Sequence, residues 1–331
     1  MRPIRVISSP PAIGARTNAY VRMIADSTSP DVTTVPFSWP GALEGKYDVM
    51  HVHWPELLLR GTPVRRLFRR AAFVAVLAAN RVRGIPMVWT AHNPTPHERS
   101  SRSEARLLGL WDRAVSARVF LSNADMPVER RDRDVVIVHG DYATVFGTLT
   151  DDRPDPDQVI SFGLLRPYKG LESLIAAVAN IDASSRPRAV LAGHPADPVY
   201  ARKLEALGSG VAEIELDLRY VPDAELARLV RASMLVVLPY REMHHSGAAL
   251  LALTLGRPVL VTASETMREL ASDVGEDWVL RFEGELTGEV LVDALTRARN
   301  IPQGALPDLS RRSAAVIARQ HVDLYRSLVR A

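Results

Sequence analysis

Short apolar runs alternate with stretches of helical periodicity along almost the whole chain. The strand-like runs cover residues 4–8, 32–35, 48–53, 87–90, 119–121 and 135–138 in the first half, and residues 159–162, 189–192, 213–216, 234–238, 259–261 and 278–280 in the second. Strands that alternate with helices predict parallel sheets joined by right-handed crossovers. The pattern therefore predicts an α/β protein with two Rossmann-like domains.

A polar segment separates the two sets of strands. Residues 142–158 contain four aspartates and two prolines, a composition typical of an interdomain linker. We therefore place one domain over residues 1–150 and another over residues 151–309. A long helix is predicted in the remaining residues, 310–331.

The segment 238–260 reads LPYREMHHSGAALLALTLGRPVL and carries the first chemical signal. A buried strand runs into a polar loop, and Ser246 and Gly247 then begin an apolar helix. Ligands of open α/β sheets bind at the carboxyl ends of strands, and a helix start offers free N–H groups to an anion. Ser246 suits the N-cap, and Gly247 admits a ligand close to the backbone. An ordinary capped helix explains the same residues.

A second loop, like the first, follows a short apolar strand and precedes a helix. Residues 159–170 read VISFGLLRPYKG, a short strand followed by a turn with Gly163, Arg166 and Lys169. A guanidinium and an ammonium group that converge before a helix suit a diphosphate. The alternative is two solvated basic residues in a loop.

Together the two loops resemble the nucleotide-sugar-binding domain of GT-B glycosyltransferases, near the large retaining family four. In particular they resemble a bacterial exopolysaccharide subgroup that carries RPYKG and then LPYR…SG…LAL..G.PV, and that includes β-mannosyltransferases using GDP-mannose. Four further segments fit this subgroup: YDVMHVHWPE (47–56), VWTAHNPTPHE (88–98), VIVHGDY (136–142) and LAGHPADP (191–198).

The resemblance implies a GT-B fold, with two Rossmann-like parallel-sheet domains facing a central cleft. It assigns acceptor binding to the first domain and nucleotide-sugar binding to the second, and it implies that the C-terminal helix packs back across the domain boundary. One departure concerns two glutamates that family-four enzymes place eight positions apart. Met243 and Leu251 stand at those positions here, which leaves the donor and the retaining or inverting outcome open.

We expect loop residues of both domains to contact the substrates. The predicted donor-binding residues are Gly163, Arg166, Lys169, His194, Tyr240, Arg241, His245, Ser246, Gly247 and Ala248. The predicted acceptor-side residues are Gly14, His53 and Asn93. Simple exposure of the loop histidines and a tight turn at Gly14 are the alternatives.

The first domain must supply part of the chemistry. The resemblance places His92 near the reacting carbon of the donor sugar, and histidine titrates near neutrality, so His92 is the leading candidate to deprotonate an acceptor hydroxyl. Glu98 and Glu56 are the other catalytic candidates. We expect His51 to be a buried strand residue with its hydrogen bond satisfied, pointing away from His53.

Composition narrows the class of protein. The chain has 331 residues, 47% of them apolar, and no cysteine, so disulfides and thiolate chemistry are excluded. No metal-ligand spacing stands out, and we expect neither a metal ion nor a cofactor besides the nucleotide sugar, which is substrate. The opening residues predict a strand and not a signal peptide, so we expect a cytoplasmic protein.

Basic residues are concentrated in the first domain. Seven arginines lie between Arg60 and Arg83, with no acidic residue between Glu56 and Glu98. We predict that residues 63–83 form a helix with arginines 65, 66, 69 and 70 on one side and apolar residues on another, in peripheral contact with an anionic membrane. A core-packed helix with a solvated basic face is the alternative. No motif favours nucleic acid as a partner.

We therefore expect a metal-independent glycosyltransferase. It would transfer a sugar, with mannose from GDP-mannose as the leading candidate, to a hydroxyl of a lipid-linked or other glycan in polysaccharide or glycolipid synthesis. A nucleotide-sugar epimerase of the same fold is the alternative enzyme. A non-catalytic nucleotide-sugar-binding protein is the third hypothesis, because the two family glutamates are missing.

Overall fold

The computed structural model describes residues 2–10, 20–21, 24, 30–92, 101–147, 153–241 and 246–330. The chain forms two compact units, one of Met1–Gly140 with Arg312–Ala331 and the other of Asp141–Arg311. The division falls ten residues before the predicted boundary at 150, and the C-terminal segment belongs to the first unit.

The first unit is built on a six-stranded parallel sheet in the order β2-β1-β3-β4-β5-β6. Its strands are β1 (Ile4–Ser9), β2 (Val32–Pro36), β3 (Val49–Val52), β4 (Met87–Ala91), β5 (Ala117–Phe120) and β6 (Asp134–Val136). Between them lie the helices α1 (Trp39–Glu44), α2 (Pro55–Leu59), α3 (Pro63–Arg83) and α4 (Arg102–Ala114).

The second unit has a parallel sheet in the order β12-β11-β10-β7-β8-β9. Its strands are β7 (Asp155–Phe162), β8 (Arg188–Ala192), β9 (Ile214–Asp217), β10 (Ser233–Leu238), β11 (Val259–Thr262) and β12 (Val279–Phe282). Its helices are α5 (Ala143–Phe146), α6 (Leu171–Ala179), α7 (Pro198–Gly208), α8 (Asp223–Ala232), α9 (Gly247–Thr254), α10 (Glu265–Val274) and α11 (Gly288–Arg299). After a 3₁₀ turn at Ser310–Arg312 the chain returns to the first unit as α12 (Ala314–Val329).

Each unit has its own apolar core between sheet and helices. Phe73 of α3 and Trp111 of α4 pack among buried residues of the first sheet. In the second unit, Leu174 of α6 and Leu291 of α11 cover the central strands. Each such side chain stabilises the fold by about 1.5–3 kcal/mol through burial. These cores fix the strands and so set the positions of the loops at their carboxyl ends.

The strand pattern predicted from apolar runs is confirmed at all twelve strands, with shifted ends. The largest shift is in β7, which begins at Asp155 within the predicted linker. Polar residues join this strand because they find partners: the Gln158 amide donates to Ser233 Oγ at 2.8 Å, and Asp157 pairs with Arg299. Helix α5 occupies another part of the predicted linker.

Helix α3 has clear sequence signals at both ends. Pro63 stands in its first turn, and Gly84 ends it in the left-handed conformation. No helix among the described residues is long and apolar enough to cross a membrane.

Candidate functional site

Lys169 is the most unusual charged side chain of the second unit. It ends the 3₁₀ turn after β7, and it is only 7% exposed. Its Nζ donates to the Phe162 carbonyl oxygen at 3.1 Å and lies 5.3 Å from the centre of the Tyr240 ring. Burial lowers the pKa of Lys169 to about 8, and the charge of Arg166 acts in the same direction. The ammonium group is therefore held inside the protein and is no solvated loop residue.

Glycines allow the loop after β7 to approach its neighbours. Gly170 has a φ of +63°, and a Cβ there would lie 2.1 Å from the Pro239 carbonyl oxygen. A Cβ on Gly193 would lie 1.9 Å from the Gly163 carbonyl oxygen. Only glycine fits either place. The loops after β7, β8 and β10 are therefore in direct contact.

The two motif loops predicted from the sequence are thus brought together. The Arg241 N–H donates to the Tyr168 carbonyl oxygen at 2.8 Å. Gly163 makes room for Lys169, because a Cβ on it would lie 2.9 Å from Nζ. Arg166 precedes the 3₁₀ turn and is exposed. The pair of cations lies at the carboxyl end of β7, as expected.

The start of α9 supplies backbone donors beside this loop pair. The predicted N-cap is confirmed: Ser246 Oγ accepts from the Ala249 N–H at 3.2 Å. The first bond within the helix runs from the Leu250 N–H to the Ser246 carbonyl oxygen at 3.2 Å, and the N–H groups of Gly247 and Ala248 precede it. The helix dipole adds partial positive charge at this end.

The space that a side chain at position 247 would fill is already occupied by another residue. We expected this glycine to leave open space for a ligand. In the structure, a Cβ on Gly247 would lie 2.7 Å from the hydroxyl oxygen of Tyr142. A ligand can therefore approach the N–H groups of the helix, but the space beside the glycine Cα belongs to the tyrosine. Tyr142 ends the segment VIVHGDY, which was the only sequence signal for it.

A cavity of about 550 Å³ opens at the carboxyl ends of β10, β11 and β12. Tyr240 and Arg241 line it together with Thr262, Phe282 and Glu285. This volume is in the range of small-molecule sites. Tyr240 also hydrogen-bonds to Ser246, and burial raises the pKa of its hydroxyl. His194, after β8, is exposed and accepts from the Leu165 N–H through its carbonyl oxygen at 2.9 Å.

In the first unit, His92 follows β4 and is held by aromatic rings. The Trp54 indole stacks on its imidazole with ring centroids 4.1 Å apart and an interplanar angle of 16°. The Tyr20 ring meets it edge-on at 4.8 Å. His53 Nδ1 lies 3.4 Å from His92 Nε2. The half-buried imidazole is thus held in one orientation by its neighbours. General acid–base catalysis requires a side chain positioned in this way.

His51 and His53 belong to the same cluster. His51 is buried with both ring nitrogens bonded, to the Tyr325 hydroxyl at 2.6 Å and to Thr90 Oγ1 at 2.7 Å, so its expected structural role is confirmed. Its expected direction was wrong: the two imidazole centroids are 4.4 Å apart, because residues two apart in a strand share a face.

The inner histidines of this cluster are uncharged at neutral pH. Burial holds the pKa of His51 well below its ordinary value and, with the charge of His321, lowers the pKa of His53 to about 3. Neither ring therefore suits a base that must carry a proton near pH 7. The Tyr325 contact, made by α12, had no signal in the sequence.

The remaining predicted residues divide into two groups. Glu56 lies half-buried in the first turn of α2. Gly14, Asn93, Glu98 and His245 lie outside the described residues. Within the described residues, no group of three or more histidine, aspartate or glutamate side chains is arranged to hold a metal ion.

The architecture and its paired loops define the class of protein. The structure resembles HepE of Anabaena, solved in complex with UDP, with a TM-score of 0.67 at 16% identity, covering 99% of this chain and 100% of that one. It also resembles sucrose-phosphate synthase of Thermosynechococcus elongatus, with a TM-score of 0.63 at 15% identity, covering 99% and 95%. The fold is that of the GT-B glycosyltransferases.

Sequence comparison gives the family. The profile of the family described as "Glycosyl transferases group 1" matches residues 156–297. A GDP-mannose:glycolipid 4-beta-D-mannosyltransferase of Xanthomonas campestris pv. campestris is 37% identical over 323 residues, covering 97% of this chain and 92% of that protein. The chain belongs to the group 1 glycosyltransferases. The enzyme class and fold predicted from the sequence are confirmed.

Proposed function

We propose that this chain transfers a mannosyl group from GDP-mannose to a hydroxyl group of a glycolipid. The full-length similarity to the Xanthomonas mannosyltransferase supports this substrate pair. The observation that carries the donor site is the contact between the two motif loops. It puts the buried Lys169 against the Tyr240 ring, whose hydroxyl bonds Ser246 at the start of α9. A diphosphate suits this combination of cations and backbone donors.

The reaction exchanges one C–O bond for another. The acceptor hydroxyl oxygen bonds to the anomeric carbon of mannose while the bond from that carbon to the diphosphate breaks. GDP leaves with the electron pair of the broken bond. In our proposal the hydroxyl proton passes to His92, and Arg166, Lys169 and the N–H groups of Gly247 and Ala248 stabilise the leaving diphosphate. These groups supply the positive charge, so transfer should proceed without a metal ion and persist in EDTA.

The test of the function is a transfer assay with radiolabelled GDP-mannose and a glycolipid acceptor. Labelled glycolipid supports the proposal. Conversion of the labelled GDP-mannose into a labelled epimer, without transfer to the glycolipid, would favour an epimerase. Tight binding without either reaction would favour a non-catalytic binding protein. That hypothesis is motivated by Met243 and Leu251, which stand where family-four enzymes have two glutamates.

The donor site has its own test. Arg166→Ala should weaken GDP binding by about 1.5–3 kcal/mol, the scale of a hydrogen bond to a charged group, and leave guanosine binding unchanged. Arg202→Ala, which removes an exposed arginine from α7, is the matched control. Calorimetry that finds the same GDP affinity in Arg166→Ala as in the wild type removes Arg166 from the site.

We also propose that α3 rests on the cytoplasmic face of a membrane and presents the enzyme to its lipid-linked acceptor. The helix buries one face, which contains Phe73, Val76 and Leu77, in the core. Its opposite face is apolar and exposed: Val64, Leu67, Phe68 and Val82 are 82%, 75%, 63% and 88% exposed. With 3.6 residues per turn these four share one stripe with three exposed alanines, 71, 75 and 78.

Arginines border this apolar stripe. By helical spacing, Arg65 and Arg83 lie on one side of it and Arg70 and Arg81 on the other. Arg65, Arg66, Arg69 and Arg70 span about 140° on the side of the helix away from the stripe, as predicted. Phe73 lies on that same side and belongs to the core. An exposed apolar face between basic residues suits a helix lying in the headgroup layer of an anionic membrane.

A further inference from the structure

Tyr142 and Gly247 form a matched pair at the start of α9. A Cβ on Gly247 would lie 2.7 Å from the Tyr142 hydroxyl oxygen and 3.7 Å from Cζ. Gly247 is not among the glycines with positive φ, so its backbone conformation does not require glycine. The reason for a glycine here is steric: the tyrosine hydroxyl takes the place of a side chain.

The tyrosine is fixed in this place from the other end of the same helix. Its N–H donates to Thr254 Oγ1 at 3.1 Å, and the Thr254 hydroxyl donates to the Leu250 carbonyl oxygen at 2.7 Å. The ring is buried, and burial raises the pKa of the hydroxyl, which therefore stays protonated at neutral pH. The group beside Gly247 is a rigidly held hydrogen-bond donor.

We propose that the Tyr142 hydroxyl is a further donor-binding group that donates to the diphosphate of the nucleotide sugar. The Gly247 N–H and the Tyr142 hydroxyl flank the same Cα, so in this proposal one anion accepts from both. This inference rests on the proposed function, because it requires a diphosphate at the start of α9. The Tyr142 hydroxyl would provide a polar contact to the donor that Leu251 of α9, which stands at the position of a family glutamate, does not provide.

The first test removes only the hydroxyl group. Tyr142→Phe should weaken GDP binding at least tenfold, the lower end for a hydrogen bond to a charged group, and leave guanosine binding unchanged. Tyr47→Phe is the control, because Tyr47 is also a buried tyrosine and its hydroxyl contacts the Ala42 carbonyl oxygen at 2.9 Å in the first unit. Its GDP affinity should equal that of the wild type.

A double-mutant cycle tests the pairing itself. Gly247→Ala should push the hydroxyl aside and weaken GDP binding about as much as Tyr142→Phe does. The double variant should lose no more than either single one, whereas independent effects would multiply to about a hundredfold. The thermal unfolding midpoint of each variant reports whether it folds. Tyr142→Phe keeps the ring and so preserves the packing.

The outcomes separate the two proposals. Wild-type protein that binds no GDP ends the proposed function, and this inference with it. Wild-type protein that binds GDP, with Tyr142→Phe within twofold of it, overturns the inference alone. A loss that is equal for GDP and guanosine also overturns it, because the tyrosine would then shape the fold and not contact the diphosphate.

Discussion

Lys169 holds a positive charge where burial opposes it. The ammonium group has one carbonyl oxygen and one aromatic face for partners, and its pKa falls to about 8. It is still mostly protonated at pH 7. An anionic ligand beside it would offset the cost of burial, so binding and protonation should be coupled.

This coupling predicts a pH dependence. Because a neutral lysine attracts no anion, GDP affinity should fall roughly tenfold or more between about pH 7.5 and pH 9.5, a range in which the phosphates are already ionised. Lys169→Arg, which cannot lose its proton there, should bind with little change over the same range. Calorimetry at each pH measures both. A flat wild-type profile would contradict the role of Lys169.

The stability of the free protein should change in the opposite direction. The pKa of Lys169 is about 8 in the folded state, below its ordinary value of 10.5. Between these values the unfolded chain binds more protons, so stability rises as the pH increases through this window. Opposite slopes for stability and for affinity would distinguish this lysine from a general effect of pH on the protein.

His92 should affect turnover more than binding. We expect His92→Ala to lower the transfer rate about 100-fold or more, the usual scale for a positioned acid–base group, with GDP-mannose affinity within a few-fold. Single-turnover kinetics and calorimetry separate the two quantities. Near-normal turnover in the folded variant would transfer the role to Glu98 or Glu56, and Glu98→Gln would then identify the base.

Residues of this kind show where sequence reasoning succeeds and fails. The positions of Lys169 and Ser246 followed from the place of their loops after apolar strands. The burial of Lys169 did not, because it depends on Tyr240, which lies 71 positions away in the sequence. His51 likewise finds its partner Tyr325 across 274 positions. Apolar periodicity carries no signal for such pairs.

At the scale of elements, the close approach of loops is what assembles the candidate donor site. Helix and strand positions were predictable because apolar periodicity determines which face is buried. The contacts between loops were not predictable, because they depend on glycines that pack against carbonyl oxygens of loops far away in the sequence. Gly170 and Gly193 are such positions.

Gly170→Ala should therefore be strongly destabilising and should weaken GDP binding. The new Cβ would meet the Pro239 carbonyl oxygen at 2.1 Å in a backbone with a φ of +63°. Gly84→Ala is a matched control, because Gly84 has a φ of +66° and nothing within 4 Å of its Cβ position. The control should lose only the free energy of unfolding that corresponds to holding an alanine in the left-handed conformation, of order 1–3 kcal/mol.

Thermal unfolding midpoints and GDP titrations of the two variants test this argument. The midpoint should fall further in Gly170→Ala than in Gly84→Ala, and only Gly170→Ala should lose GDP affinity. Equal midpoints would mean that the loop after β7 shifts without cost. The contact with Pro239 would then not hold the two motif loops together.

At the scale of the whole molecule, the last helix completes the first unit. Tyr325 of α12 bonds His51 of β3, and Arg326 pairs with Asp31 at 2.8 Å. The family resemblance implied that the helix predicted in residues 310–331 packs back across the domain boundary. In the structure the chain passes through the second unit and returns to the first, so the first sheet depends on residues from both ends of the sequence.

The exposed stripe of α3 predicts membrane association of the whole enzyme. Each arginine near an anionic surface contributes about 1 kcal/mol, and the apolar side chains add the burial of their surface. The structure selects Arg65 and Arg81 for reversal to glutamate, because both are exposed beside the stripe, whereas Arg70 and Arg83 bond within the unit, to Ser103 and to the Leu43 carbonyl oxygen. The double variant should fold and lose cosedimentation with anionic liposomes.

A second variant and a control separate the two contributions. Leu67→Ser with Phe68→Ser keeps every charge and should also weaken liposome binding, since both side chains are exposed and contribute apolar contact. Reversal of two exposed arginines of the second unit, Arg202 and Arg297, makes the same change in net charge and should leave binding intact. Both α3 variants should slow transfer to a lipid-linked acceptor and preserve transfer to a short soluble one. Wild-type protein that ignores anionic liposomes at low salt would refute the membrane role of α3 and leave the transferase assignment untouched, because that assignment rests on the fold and on the family.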